Sequence, residues 1–448
     1  MPLPIISHTI ANGFSSIPYG YPIVTTASGI AAISSLKRYF GGADALESSY
    51  DYGKYGHIAL PLPTKNATYS LIFYSSQGGT SGVGASIVYE LASRGAQIII
   101  LTQHHPTDLF LVDYIDDLRN STNNPLIYAE QVDLSSLHSI RLFATKWIDN
   151  TPPRRLDMVI LCGNIMTPSH SPDSRATADG LNREWQVNYL ANFHLLSILS
   201  PALRAQPPDR DVRVIFATCS SYIGGNLNFE TLESTTNLGV STTAKPTAKN
   251  VAKAKHTSGS MYATSKLALM IFARSFQAHL ANYDNLNHTK KNQPKRPTNS
   301  RVLVVDPGFS RTPGTRRWLT RGSLLGLLLY LITWPIWWLI LKSPEQGAQS
   351  FLLAAMEAGF SAVGETEAEK KERRVGIAGG TLIKECRQRE VLRKEIMDDK
   401  IAERLWKFSQ EQLERTEKAS ALRRAVEKGR REEGAKQEKP VKINKKER

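Results

Sequence analysis

The chain has 448 residues, an apolar fraction of 41% and a formal net charge of +15, which exceeds one ordinary core and excludes a wholly disordered polymer, so one large domain with appended segments is expected. Three scattered cysteines, Cys162, Cys219 and Cys386, exclude a disulfide framework and a zinc site and favour a reducing, cytosol-facing location. The Lys/Arg excess is spread over inserts, the flanks of an apolar run and a charged tail, with no nucleic-acid module beside it. A membrane surface therefore ranks ahead of nucleic acid as partner.

Residues 1–68 form an N-terminal extension rich in Pro, Gly and Ser, without the n-region and cleavage pattern of a secretory signal. Ile23 to Phe40 suit an amphipathic helix, packed on the domain in preference to lying on a membrane. Ser70 to Ser75 read as a buried strand running into Gln77-Gly78-Gly79-Thr80-Ser81-Gly82-Val83-Gly84 and then a helical pattern. Strand, glycine turn and helix are the setting of a phosphate-cradling loop: glycines let the backbone approach a pyrophosphate, and the helix start offers free N–H groups. Gly78, Thr80, Ser81, Gly82, Val83 and Gly84 are the candidate cofactor contacts. A second strand, Gln97 to Thr102, ends in Gln103, His104 and His105. With no acid there for a free ribose 2′-hydroxyl, NADP(H) is favoured over NAD(H) at Gln103. The histidines read as loop residues, and no metal is expected.

A third strand ends at Asp133, a candidate to meet the adenine amine or to cap the following helix. Leu156 to Cys162 is a buried fourth strand opening into Gly163-Asn164, placed to floor a nicotinamide ribose. The alternation of strands and helices argues for an α/β fold, a doubly wound parallel sheet. Asn226 to Ser260 reads as a polar mobile insert and Asn285 to Ser300 as a basic loop. Between them, Tyr262 and Lys266 lie four residues apart, one turn on a shared helix face, where an ammonium can stabilise a phenolate. That pair is a candidate proton donor and acceptor.

Ser323 to Leu341 is a nineteen-residue run without charge, flanked by Arg316, Arg317, Arg321 and Lys342 and interrupted by Pro335. Its length is near the lower limit for a membrane span, and the tryptophans around the proline favour a headgroup region. Residues 416–448 read as a charged tail, solvated or disordered.

In order along the chain, Gly78-x-x-x-Gly82-x-Gly84, Asp133-Leu134, Asn188, Tyr262-x-x-x-Lys266 and Asp306-Pro307-Gly308 resemble the short-chain dehydrogenase/reductase superfamily. The nearest likeness is to its retinol-dehydrogenase-like branch, fungal oxidoreductases of lipid droplets and vacuolar membranes included. It covers residues 69–415. The resemblance implies a Rossmann domain and an NADP(H)-dependent enzyme acting on an alcohol or carbonyl. The apolar run at 323–341, read as a membrane-associating insert, points to a lipophilic substrate of the retinoid, sterol or long-chain aldehyde class. Tyr262 would be the general acid/base and Lys266 the ribose-binding lysine that lowers its pKa. Asn188 would kink its helix and hold a water beside the lysine. Pro307, Gly308 and Thr312 would border the nicotinamide.

The family's serine slot falls at Cys219, with Ser220 and Ser221 adjacent; Ser220 is the preferred candidate, because a thiol is a poor donor. Cys162-Gly163-Asn164 stands where Asn-Ala-Gly is usual, and Gln77 where threonine is usual. Lys342 to Gln349 resembles the start of the family's last domain helix, so the apolar run would dip into one leaflet and return, as a lipid droplet, endoplasmic reticulum or vacuolar membrane allows. Thr381 to Ser409 would form a helical closing segment. A homodimer is left open, and the alternative function is a catalytically weak nucleotide sensor or scaffold at such membranes.

Overall fold

The computed structural model describes residues 20–43, 69–73, 82–150, 156–167, 176–204, 211–236, 258–287, 299–357, 360 and 380–437. Gly78, Thr80, Ser81, the patch Glu365 to Arg374 and residues 237–257 and 288–298 lie outside them.

Seven parallel strands and one antiparallel strand form a single sheet of order 3-2-1-4-5-6-7-8. They are β1 (Tyr69–Phe73), β2 (Gln97–Thr102), β3 (Ile127–Gln131), β4 (Met158–Leu161), β5 (Val212–Ala217), β6 (Ser300–Asp306), β7 (Thr381–Lys384) and β8 (Arg387–Arg389). The central strands are mainly apolar because both faces are covered, as parallel sheets require, and the buried Arg213 of β5 is paired with Asp211 at 2.6 Å. One face packs on helices α4 (Leu137–Ile148), α5 (Ala191–Arg204) and α7 (Ser258–Asn287). The other packs on α2 (Val83–Ser93), α3 (Leu109–Thr122) and α11 (Pro344–Met356). The chain reverses between β1 and β4, so the clefts beside these strand ends lie at the switch point where α/β sheets bind ligands.

Helix α1 (Gly20–Gly41) packs on the apolar insert, as expected of a packed helix: Lys37 Nζ donates to the carbonyls of Trp338, at 2.6 Å, and Leu341, at 2.9 Å. The insert is broken into α9 (Leu324–Ile332) and α10 (Trp334–Ile340), with Pro335 in the first turn of the second, following α8 (Pro313–Thr320). Among the described residues no helix is long and apolar enough to cross a membrane.

Three stretches differ from expectation. The polar insert contains a helix, α6 (Phe229–Thr236), with Leu232 and Thr236 buried. The closing segment is not helical from Thr381: β7 and β8 form a hairpin first. Its turn residues Glu385 and Cys386 have positive φ, 54° and 55°, and without Gly or Asn the hairpin carries no local signal. Helix α12 (Asp399–Gln437) then runs past the tail boundary drawn at 416. Beyond that boundary Glu417 pairs with His194 Nε2 at 3.1 Å and with Arg141, Ser420 Oγ donates to Asp179 at 2.8 Å, and Arg423 donates to the carbonyls of Ala178 and Asp179. Ending the chain at Arg415 is therefore expected to lower the urea unfolding free energy by about 2 kcal/mol or more, since each stranded buried partner costs ~1–3 kcal/mol. Ending it at Gln437 should leave the midpoint unchanged.

Candidate active site

The strand ends and the helices beneath them meet around one phenol. Tyr262, in the first turns of α7, is buried, and its hydroxyl accepts a 2.8 Å hydrogen bond from Asn164 Nδ2. Cys219 Sγ lies 3.4 Å from the same oxygen. Asn164 comes from the loop after β4 and Cys219 from the turn after β5. Gly225 lets that turn lie against α7, because a Cβ there would stand 2.7 Å from the Ala263 carbonyl oxygen.

Ser220, the preferred serine, is not the group beside the phenol. Its hydroxyl donates to Asp306 Oδ2 at 2.7 Å and accepts from Lys384 Nζ at 2.7 Å, and Lys384 pairs with Asp306 at 3.3 Å. Ser220 opens a 3-10 turn over Ser220–Gly224, which swings its side chain toward β6 and β7. Cys219 fills the slot. Asp306 also accepts from Gly308 N at 2.9 Å, shaping the Pro307-Gly308 turn, where Gly308 takes a φ of 74° that suits glycine alone. Lys384 was missed by sequence reasoning because its strand was.

Lys266 is 1% exposed and donates to the Ala217 carbonyl at 3.1 Å, with its Nζ 5.8 Å from the Tyr262 ring centroid. Burial lowers its pKa, opposed by the nearby Cys219, Cys162 and Asp306. The phenol moves opposite to expectation. Burial raises the Tyr262 pKa well above 10, Cys219 raises it further, and the Asn164 bond works against them. With the ammonium held by Ala217, the phenol is a protonated acid at neutral pH.

Asn188 sits in a π-helical turn, Gln186–Leu190, between the short helix Arg183–Trp185 and α5. The kink is the one the resemblance implies, and the side chain is bound to the loop after β4. Its Oδ1 accepts from Ile165 N at 2.8 Å, while its Nδ2 donates to Ile165 O at 2.9 Å and to Ser265 Oγ at 3.3 Å. Asn188 thus fixes the residue next to Asn164.

Of the glycine loop, Gly82, Val83 and Gly84 are described. Gly82 has φ 76°, among the described residues no side chain caps the start of α2, and a Cβ on Gly82 would come within 3.2 Å of Thr312 Cγ2. A helix N-terminus behind a glycine whose torsion suits glycine fits a dinucleotide pyrophosphate. Thr312 itself caps α8, accepting from Thr315 N. Asp133 is taken up locally by Ser135, and Ser136 rather than Asp133 caps α4. At the end of β2 the Gln103 carbonyl accepts from Gln131, and Asp108 caps α3 and lies 3.4 Å from His104 Nδ1.

An uncharacterized oxidoreductase of Schizosaccharomyces pombe is 35% identical over 93% of this chain and 97% of its own. The chain belongs to the short-chain dehydrogenase/reductase superfamily, in its retinol-dehydrogenase-like branch. An uncharacterized oxidoreductase of Saccharomyces cerevisiae is 33% identical over 96% of each chain. Retinol dehydrogenase 13 of Mus musculus is 28% identical over 62% of this chain and 70% of its own. No protein-family model matches the sequence. This short-chain dehydrogenase/reductase is an oxidoreductase related to retinol dehydrogenases.

The raised phenol pKa makes stability fall at alkaline pH. An unfolded tyrosine ionises near pH 10, whereas Tyr262 and Tyr114, the latter pushed up to about 12 by burial, stay protonated in the fold. Their contribution is present in full below about pH 10 and lost as pH rises through the folded pKa values. Urea midpoints measured from pH 8 to 12 should decline less steeply in Tyr262→Phe and Tyr114→Phe than in the wild type.

Proposed function

We propose that this oxidoreductase interconverts a lipophilic alcohol and its carbonyl with NADP(H), at a lipid-droplet or other cytosol-facing membrane surface. The substrate class rests on one observation: the apolar pair α9–α10 leaves and rejoins the fold at the turn that would border the nicotinamide. Lys342 N donates to Phe309 O at 2.9 Å, and Arg311 N donates to Lys342 O at 2.8 Å. Between these clips the pair presents Leu324 at 87%, Leu331 at 60% and Ile332 at 70% exposure, continued by Ile30 and Ile33 of α1. So large a contiguous apolar face marks an interaction surface. The exposed Arg316, Arg317 and Arg321 at its base suit anionic headgroups, worth ~1 kcal/mol each near such a surface. A substrate dissolved in the lipid then has a short path to Tyr262.

NADP(H) is supported by the end of β2, where among the described residues the nearby carboxylate of Asp108 is engaged by its own helix cap and by His104. The nicotinamide, when bound, supplies or takes hydride at the substrate carbon. The chain handles the proton. In the reducing direction the Tyr262 hydroxyl gives its proton to the carbonyl oxygen, and Asn164 stays hydrogen-bonded to the phenolate left behind. Lys266 lies beneath the site, donating to Ala217, its pKa lowered by burial against the opposing pull of Cys219, Cys162 and Asp306.

Purified protein incubated with NADPH or NADH and a panel of retinal, steroid ketones and long-chain aldehydes tests the reading. Turnover should prefer NADPH and fall about 10²–10⁴-fold in Tyr262→Phe, the usual loss of a general acid. The thiol at position 219 favours a second reading, a catalytically weak nucleotide sensor; nucleotide binding without turnover on any lipophilic carbonyl would establish it. The surface is tested separately, by flotation with artificial droplets or vesicles containing phosphatidylserine. The variant Leu324→Glu/Leu331→Glu/Ile332→Glu should stay in the pellet with an unchanged melting temperature, and its continued flotation would remove the membrane assignment.

A further inference from the structure

The thiol of Cys219 leaves this site without the hydroxyl donor that a proton-transferring phenol needs beside it, and the structure shows what stands there. A thiol is a weak hydrogen-bond donor, and its sulfur is 3.4 Å from the phenol oxygen. Ser220, which follows Cys219 in the chain, is bound between Asp306 and Lys384. The strong donor on the phenol oxygen is Asn164 Nδ2, at 2.8 Å.

We infer that Asn164 is a catalytic residue of this chain: one amide N–H fixes the Tyr262 hydroxyl, and the other receives the substrate oxygen. The inference rests on the proposed reading of the site as one of alcohol and carbonyl interconversion. A primary amide carries two N–H donors on one nitrogen, which lets a single side chain touch the acid and the atom that takes its proton. Asn164 is exposed to solvent while Tyr262 is buried, and among the described residues its second N–H has no partner.

The placement is built, not incidental. Asn188 grips both the N–H and the carbonyl of Ile165, and reaches Ser265, whose hydroxyl donates to the Tyr262 carbonyl at 2.7 Å. One buried side chain thereby sets the backbone of donor and acceptor together. Asn164 is the third residue beyond the end of β4, with Cys162 and Gly163 before it. The departures at 162–164 and at 219 are two parts of one exchange, in which the donor has moved from the β5 turn to the β4 loop.

In the reducing direction a bound reduced nicotinamide would supply hydride to the carbonyl carbon, and the C=O π electrons would pass to oxygen. That oxygen takes the Tyr262 proton and becomes the alcohol. The developing charge on substrate oxygen and phenolate meets the two Asn164 N–H groups in turn, and Asn164 itself neither gains nor loses a proton.

The test pairs a contact measurement with kinetics. In protein labelled with ¹⁵N-asparagine, the Asn164 side-chain amide proton, assigned with Asn164→Asp, should move upfield in Tyr262→Phe at neutral pH without any nucleotide present. With NADPH and an aldehyde that the wild type turns over, Asn164→Asp and Asn164→Ala should lower kcat about 10- to 100-fold with little change in KM, in the range of a lost oxyanion donor. Adding Cys219→Ser to Asn164→Ala should recover part of that loss, since a hydroxyl then returns to the phenol; a merely structural role predicts no rescue. An amide proton that stays in place in Tyr262→Phe, or kcat unchanged in both Asn164 variants while Tyr262→Phe is inactive, overturns the inference. Turnover that does not depend on Tyr262 overturns instead the reading on which it rests.

Discussion

The site depends on one buried amide. Asn188 satisfies both polar groups of the Ile165 peptide backbone, and a π-helical turn is what brings its side chain to that peptide. Such a turn inserts a residue into an α-helix and appears mostly at functional sites. Without that grip the loop after β4 would carry two unsatisfied buried groups beside α7, at ~1–3 kcal/mol each. With it, the loop, the phenol and the lysine share one frame. The surroundings of Tyr262 thus depend on a residue 74 positions upstream in the chain as well as on the lysine a turn away.

Burial is the second constraint, and it sets a direction. Tyr262 and Lys266 are both taken out of water, which favours the neutral form of each. For the phenol nothing opposes this strongly except the Asn164 bond; for the ammonium, the surrounding thiols and Asp306 do. A phenol that holds its proton is prepared to donate one. The same burial that makes the phenol a poor base alone makes its hydrogen-bond partners matter more, because each acts in a medium that screens weakly.

Much of this was legible beforehand. The runs Gln97 to Thr102 and Arg301 to Asp306 announced themselves as strands because a sheet covered on both faces demands continuous apolar residues, and the structure places strands there. The glycine at 82 was legible as backbone chemistry, since few residues tolerate its torsion. Ser220 was misplaced because sequence spacing does not reveal which way a 3-10 turn rotates a side chain. The β7–β8 hairpin was hidden by turn residues that do not look like turn residues. The last helix was cut short because Glu, Lys and Arg dominate it, whereas its attachment to the core depends on a few side chains, Gln412, Thr416 and Ser420, buried among them. Composition averages over such contacts; only the tertiary structure singles them out.

The double clip at Lys342 has a wider meaning. Because the apolar pair starts and ends at adjacent peptides, it is attached to the catalytic body as a loop is, by a narrow base that any helical hairpin of similar span would close. The apolar pair and the buried surroundings of Tyr262 are consequently joined through a short base. The pair can then change in length or composition while the sheet and the loops around the phenol stay as they are.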